Sequence, residues 1–394
     1  MKETFSRTLA ASLFALALAA SGASSEARAE PGVSADSILF GQAAALDGPA
    51  SALGIGMREG ILAAFEEANR NGGVSGRRLE LKSYDDGYEP ERSIAETTRL
   101  IQQDQVFALI GPVGTPTAQA AQPIATGAGV PFIGPFTGAG FLRAPELTNV
   151  INVRASYGQE TEAWIKHLTE DLGYDRIAIL YQDDSFGRVG LEGVQKAMDK
   201  RGLSLAAEGN FKRNTTAVKS ALLEIRKANP QAVVMVGPYK PIAEFIKLAR
   251  QVKMDATFVN ISFVGSDALA KELGPDGAGV VVTQVVPLPW DSSIPLVAQY
   301  QQALKASNPS AQPGFVSLEG YMVGRIAIMA MEKIQGEITR EKLIQTIAAT
   351  GTFDLGGVTL TYGPGDNQGS DNVFLTVIQP DGSFKAVERL GGTS

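Results

Sequence analysis

Cysteine is absent from all 394 residues, and histidine occurs once, at His167. Without cysteine the chain forms no disulfide, offers no thiolate nucleophile and builds no sulfur-ligated zinc site. It also has nowhere to attach the cysteine-linked lipid that tethers exported bacterial lipoproteins. A Ser–His–Asp triad would have to use His167, and no G-x-S-x-G elbow accompanies it. His167 stands beside Trp164 and Leu168 and reads as a partly exposed structural side chain. These absences argue against an enzyme, against a bound metal and against a cofactor.

Positive charge is also short. The 35 Lys and Arg face 42 Asp and Glu, for a net charge of −7. An acidic chain without basic stripes is a poor partner for nucleic acid and for anionic lipid surfaces. Past the N-terminus, no apolar run reaches the ~20 residues that a spanning helix needs.

The one marked apolar run lies at the start. Lys2 and Arg7 precede residues 9–20, rich in Ala and Leu, and a small-residue stretch ends in Ala27-Arg28-Ala29. This order is that of a secretory signal, so residues 1–29 are expected to be removed between Ala29 and Glu30. The leader holds Lys2, Arg7 and Arg28 against Glu3 and Glu26, so the remaining chain is more acidic still.

That remainder alternates strand and helix patterns. Strands are expected at 38–45, 79–84, 106–110 and 130–133, with helices at 54–69, 91–103 and 117–126 between them. Ile61, Leu62, Phe65 and Ala68 share a face at helical spacing. The pattern restarts near 150–154. Ser156 and Gln159 have capping-box spacing ahead of a helix carrying Trp164, Ile165 and Leu168. Strands are then expected at 177–181, 203–207, 232–236, 257–259 and 280–285, and helices at 189–200, 218–228 and 242–252. Helices at 296–306, 315–334 and 340–349 and strands at 358–361 and 373–378 complete the chain. Such alternation implies parallel sheets covered on both faces. The expected fold is two doubly wound α/β lobes, 30–153 plus 287–367 and 154–286 plus 368–394. Crossings between them are expected near Arg154, Val286 and Asn367.

Several stretches carry a resemblance. Gly72-Gly73-Val74-Ser75-Gly76-Arg77-Arg78-Leu79-Glu80-Leu81 leads into Tyr84-Asp85-Asp86. Ile110-Gly111-Pro112 precedes a Thr/Pro helix opening, Val130-Pro131-Phe132-Ile133-Gly134-Pro135 follows, and Val236-Gly237-Pro238-Tyr239 ends a later strand. In order and spacing the chain resembles the Leu/Ile/Val-binding proteins of ABC importers, with the type I periplasmic binding fold. The resemblance implies a periplasmic monomer that closes its lobes over a small ligand and docks on membrane permease subunits. A partner of a membrane sensor would share the same fold and cleft.

In open α/β sheets small ligands sit at the C-terminal ends of strands. The loop 111–117 is such a place, with Thr115 as expected N-cap and Pro116 first in the helix, a setting that favours a carboxylate. Pro135-Phe136-Thr137-Gly138 is its neighbour, and Gly138 admits close backbone approach. The resemblance implies that a hydroxyl at Thr115 and backbone groups at Phe136 and Gly138 hold an amino acid α-carboxylate. It places Leu53 over the ligand side chain, and Phe186 and Tyr239 on the closing lobe. Ser262 stands where amino acid binders carry a glutamate for the ligand ammonium. Another carboxylate, Asp183, Asp184 or Glu319, then takes that role, or the ligand is an aromatic or aliphatic carboxylate without an ammonium. Of the strand-end pairs Asp85-Asp86 and Asp183-Asp184, otherwise turn and cap residues, only Asp183 is kept as a site candidate. Gly54-x-Gly56-x-x-x-Gly60 departs from a dinucleotide fingerprint by one position and lies past the turn that the fingerprint needs.

Overall fold

The computed structural model describes residues 30–391, so the expected signal segment lies outside the described residues. The first sheet is built from β1 (Ser37–Ala44), β2 (Arg78–Asp85), β3 (Ala108–Ile110), β4 (Phe132–Ile133) and β5 (Val150–Ile151). Its order is β2-β1-β3-β4-β5, with every neighbour parallel. The crossovers are α1 (Ser51–Arg70), α2 (Pro90–Gln102) and α3 (Thr115–Gly127). The central strands are apolar and buried along their length, as strands covered on both faces require.

The second sheet begins with α4 (Tyr157–Glu170) and β6 (Ile177–Gln182). It continues through α5 (Ser185–Asp199), β7 (Ala207–Phe211), α6 (Lys219–Lys227), β8 (Ala232–Val236), α7 (Tyr239–Gln251), β9 (Thr257–Asn260), α8 (Ser266–Leu273) and β10 (Val281–Gln284). Next come α9 (Pro295–Ser307), α10 (Phe315–Glu332), α11 (Arg340–Thr350) and a small hairpin of β11 (Thr352–Asp354) and β12 (Thr359–Thr361). β13 (Phe374–Ile378) and β14 (Phe384–Val387) then join the second sheet as antiparallel strands, giving the order β14-β13-β10-β9-β8-β6-β7. The molecule is thus a pair of α/β lobes. The linking segments run side by side, where Asn152 N–H donates to Asn367 O at 2.8 Å and Gly369 N–H to Asn152 O at 2.8 Å.

α1 and α10 pack at unusually close range. A Cβ on Gly60 would lie 2.0 Å from Ser317 O, and one on Gly320 would lie 2.4 Å from Met57 O. Gly60, read in sequence as part of a weak nucleotide pattern, therefore serves helix packing. The capping box of α4 forms as its spacing indicates, with Gln159 N–H to Ser156 Oγ at 3.3 Å and Ser156 N–H to Gln159 Oε1 at 2.7 Å.

Several local readings change, three of them for a clear reason. The strand expected at 203–207 is β7, Ala207–Phe211, which pairs with β6 in the register Ala178↔Ala207. β7 is an edge strand whose Glu208 and Asn210 face water, so its polar half concealed it while Leu203 and Leu205 imitated it. The cap of α3 is Gly114, at φ +107°, and Thr115 is the first helical residue. α7 starts at Tyr239 rather than Ile242, because Pro241 is tolerated in a first turn.

Candidate functional site

The loops after β2, β4, β6 and β9 converge between the sheets, and each contributes an aromatic ring. Phe263, after β9, is central. Its ring centroid lies 4.6 Å from Phe186, 5.3 Å from Phe136 and 5.9 Å from Tyr88. Tyr157, first residue of α4, lies 5.5 Å from Phe186. All five rings are fully or almost fully buried. Phe263 belongs to the second lobe but packs on Tyr88 and Phe136 of the first, so the lobes are closed on one another.

A charged cluster lies against these rings. Arg154 is buried where the chain leaves β5, its guanidinium 4.7 Å from the centre of the Phe136 ring. Its Nη2 donates to Ser262 Oγ. Ser262 in turn donates from Oγ and from its backbone N–H to Glu160, both at 2.8 Å, and Thr283 Oγ1 donates to Glu160 at 2.5 Å. Arg154 Nη2 lies 4.0 Å from Glu160 Oε1, and Arg154 Nε lies 3.5 Å from Glu319 Oε1. Burial pushes the Glu319 carboxyl up to about 7, and the Arg154 charge only partly offsets it. Burial also raises Glu160, against the pull of Arg154 and its hydrogen bonds. Arg143 supports the cluster from below through neutral partners, donating to Ala139 O at 2.8 Å and to Arg154 O at 3.0 Å.

Four polar atoms of this cluster are buried without a hydrogen bond: Arg154 Nε and Nη1, Glu319 Oε1 and Tyr157 Oη. A buried polar group left unpaired costs about 1–3 kcal/mol, more when charged. Arg154 Nε and Glu319 Oε1 face one another at 3.5 Å, and Arg154 Nη1 and the Tyr157 hydroxyl are left as groups that a polar partner would satisfy.

Of the residues expected from sequence, Phe136, Phe186 and Ser262 belong to these clusters, Thr115, Thr137 and Gly138 adjoin Tyr157, Leu53 and Tyr239 meet at the Gly265 loop, and Asp183 stands apart. The Thr115 and Thr137 hydroxyls bond one another at 2.7 Å. Phe136 supplies a ring rather than free backbone, since its N–H donates to Pro112 O at 2.8 Å and its carbonyl accepts from Gly114 at 3.2 Å. Gly138 lets Tyr157 approach; a Cβ there would lie 2.5 Å from Tyr157 Cδ1. Leu53 packs on Gly265, where a Cβ would meet Leu53 Cδ2 at 2.5 Å. Tyr239 reaches the same loop, its hydroxyl accepting from Ala52 N–H at 3.4 Å. Phe186 and Ser262 sit in the aromatic and charged clusters just described. Asp183 lies apart, its side chain 45% exposed and accepting from Arg188 at 2.6 Å. Of the other carboxylates considered, Asp184 caps α5 and pairs with Arg213 at 2.9 Å, whereas Glu319 reaches the cluster. A groove of about 400 Å³ beside Leu53 and Gly265 runs between α1, α8 and the start of α10.

Sequence reasoning passed over Arg154, Tyr157, Glu160, Phe263 and Tyr88. Arg154 carried the one usable signal, a lone charge directly after the stretch Val150-Ile151-Asn152-Val153, apolar but for Asn152. Glu160 reads as an ordinary first-turn acid of α4.

The family described as periplasmic binding protein matches residues 37–383. A leucine-, isoleucine-, valine-, threonine- and alanine-binding protein of Pseudomonas aeruginosa is 26% identical, over 82% of this chain and 84% of that protein. A Leu/Ile/Val-binding protein homolog of Brucella abortus is 24% identical, over 90% and 91%. Among solved structures, a possible leucine/isoleucine/valine-binding protein from Rhodopirellula baltica superposes with a TM-score of 0.86 at 41% identity, covering 91% of this chain and 98% of that one.

Proposed function

Since the chain belongs to the periplasmic binding protein family, whose members here are solute-binding proteins and not enzymes, we propose that it serves an ABC importer. It is exported by cleavage of residues 1–29 and works in the periplasm as a monomer without a lipid anchor. It captures a small polar solute, an amino acid or a related carboxylate or amide, and presents it to the permease subunits. The lobes, 30–153 plus 287–367 and 154–286 plus 368–394, hinge at the linking segments near Arg154, Val286 and Asn367. Thr115, Thr137 and Phe136 on the first lobe, with Gly138 beneath Tyr157, form one wall. Phe186, Tyr239, Ser262 and the ring of Phe263 add the other on closure, with Leu53 at the rim.

The observation that carries this reading is the set of unpaired buried atoms on Arg154, Tyr157 and Glu319 where the two lobes meet. Groups contributed mainly on closure allow a ligand to shift an open–closed equilibrium, because a ligand bound equally by both states shifts nothing. The test is a thermal-shift screen of protein refolded free of carried-over solute, with amino acids, small amides and carboxylates. Binding to the folded state raises the midpoint by mass action. A solute from one of these classes should raise it in a concentration-dependent way, and a panel without effect would sink the reading.

A further inference from the structure

Resting on the interlobe site proposed above, we infer that the ligand is a small carboxylate that bears no ammonium, with Arg154 filling the place of the ligand's cation. Arg154 makes the contacts that a ligand ammonium would make in such a site. It binds Ser262, lies 4.0 Å from Glu160 and 3.5 Å from Glu319, and rests 4.7 Å from the centre of the Phe136 ring. A cation over an aromatic face is favourably placed. Glu160 already accepts three hydrogen bonds, two from Ser262 and one from Thr283, and its remaining acceptor position, on Oε1, faces Arg154 Nη2 at 4.0 Å.

Glu319 alone keeps an unpaired carboxylate oxygen, and that oxygen is the one 3.5 Å from Arg154 Nε. An ammonium drawn to it would be pressed against the guanidinium in a dry setting, where like charges repel strongly. The remaining unpaired groups are donors. Arg154 Nε faces Glu319, whereas Arg154 Nη1 can only donate and the Tyr157 hydroxyl can donate from a ring 6.0 Å from the guanidinium. Donors on an arginine and a phenol suit a carboxylate. Arg143 and Arg154 face Glu160 and Glu319, and burial favours the neutral acid form of Glu319. The rings of Phe136, Phe186, Tyr157 and Phe263 give the ligand's tail an apolar wall.

The test compares matched pairs by calorimetry on the ligand-free full-length mature protein: isocaproate against leucine, and hydrocinnamate against phenylalanine. At least one carboxylate should bind, and its amino acid partner should bind about 100-fold more weakly or not at all. An amino acid that binds as tightly as its partner overturns the inference and leaves the importer reading standing. Failure of all four also overturns it, and the broader thermal-shift panel then decides separately on the importer reading. Glu319→Gln supplies a second arm that keeps the side-chain volume. The carboxylate should bind this variant at least as tightly. A tenfold loss would mean that Glu319 receives a ligand cation and would overturn the inference.

Discussion

Arg154 and Glu319 show how far apart in the chain the parts of one site can be. Only the fold brings Arg154 Nε to 3.5 Å from Glu319 Oε1. Glu319 has a measurable consequence for stability. Its folded-state pKa is raised from 4.5 to about 7, chiefly by burial. The folded protein therefore holds a proton that the unfolded chain has released, and stability falls as pH rises from 4.5 to about 7. Asp86 and Asp267, also raised by burial, to about 6, act in the same sense, so the contribution of Glu319 is read by difference. Urea unfolding across this range should show wild type losing stability relative to Glu319→Gln as pH rises. Parallel profiles would mean that Glu319 titrates normally. Ser262 was legible as a departure from the amino acid binders, but what it does there was not. Its bonds to Glu160 and Arg154 span more than a hundred positions, and no local pattern encodes them.

At the scale of elements, periodicity served well wherever a strand or helix buries an apolar face. β8 is apolar throughout, β6 up to its final Gln182 and β1 over most of its length, and α1 carries its buried stripe through Leu53, Met57, Ile61 and Phe65. It failed where burial is one-sided or the element is short. β7 is half polar because it lies at an edge, and α8, only eight residues long, was not anticipated between β9 and β10. The glycine pattern of α1 was legible as a pattern, but its meaning required the partner helix. Gly60→Ala would drive a methyl to 2.0 Å from Ser317 O and should destabilise by about 1–3 kcal/mol or more. Gly127→Ala in α3 meets nothing within 4 Å and should be neutral or stabilising by up to ~1 kcal/mol. Paired denaturation curves check both, and equal midpoints for the two variants would contradict the close packing of α1 on α10.

For the whole molecule, the alternation of strands and helices pointed to two lobes, and the two sheets stand as separate layers of parallel strands with an antiparallel edge on the second. That edge, β13 and β14, arrives from the far end of the chain, which sequence order alone does not reveal. Contacts across the cleft hold the closed arrangement. Arg213 pairs with Glu89 at 2.8 Å, Asn214 bonds Glu89 at 2.7 Å, and Asp267 of α8 accepts from Phe315 N–H at the start of α10 at 3.0 Å. The Arg213–Glu89 pair is partly exposed and contributes little, whereas the packing of Phe263 on Tyr88 and Phe136 is buried, and in the proposed function the ligand adds its own contacts on closure. The central claim is therefore closure upon binding, and small-angle X-ray scattering on the stripped protein tests it most directly. With a saturating solute from the thermal-shift screen, the radius of gyration should fall relative to the ligand-free protein. An unchanged radius at a concentration that fully raises the melting midpoint would contradict the account.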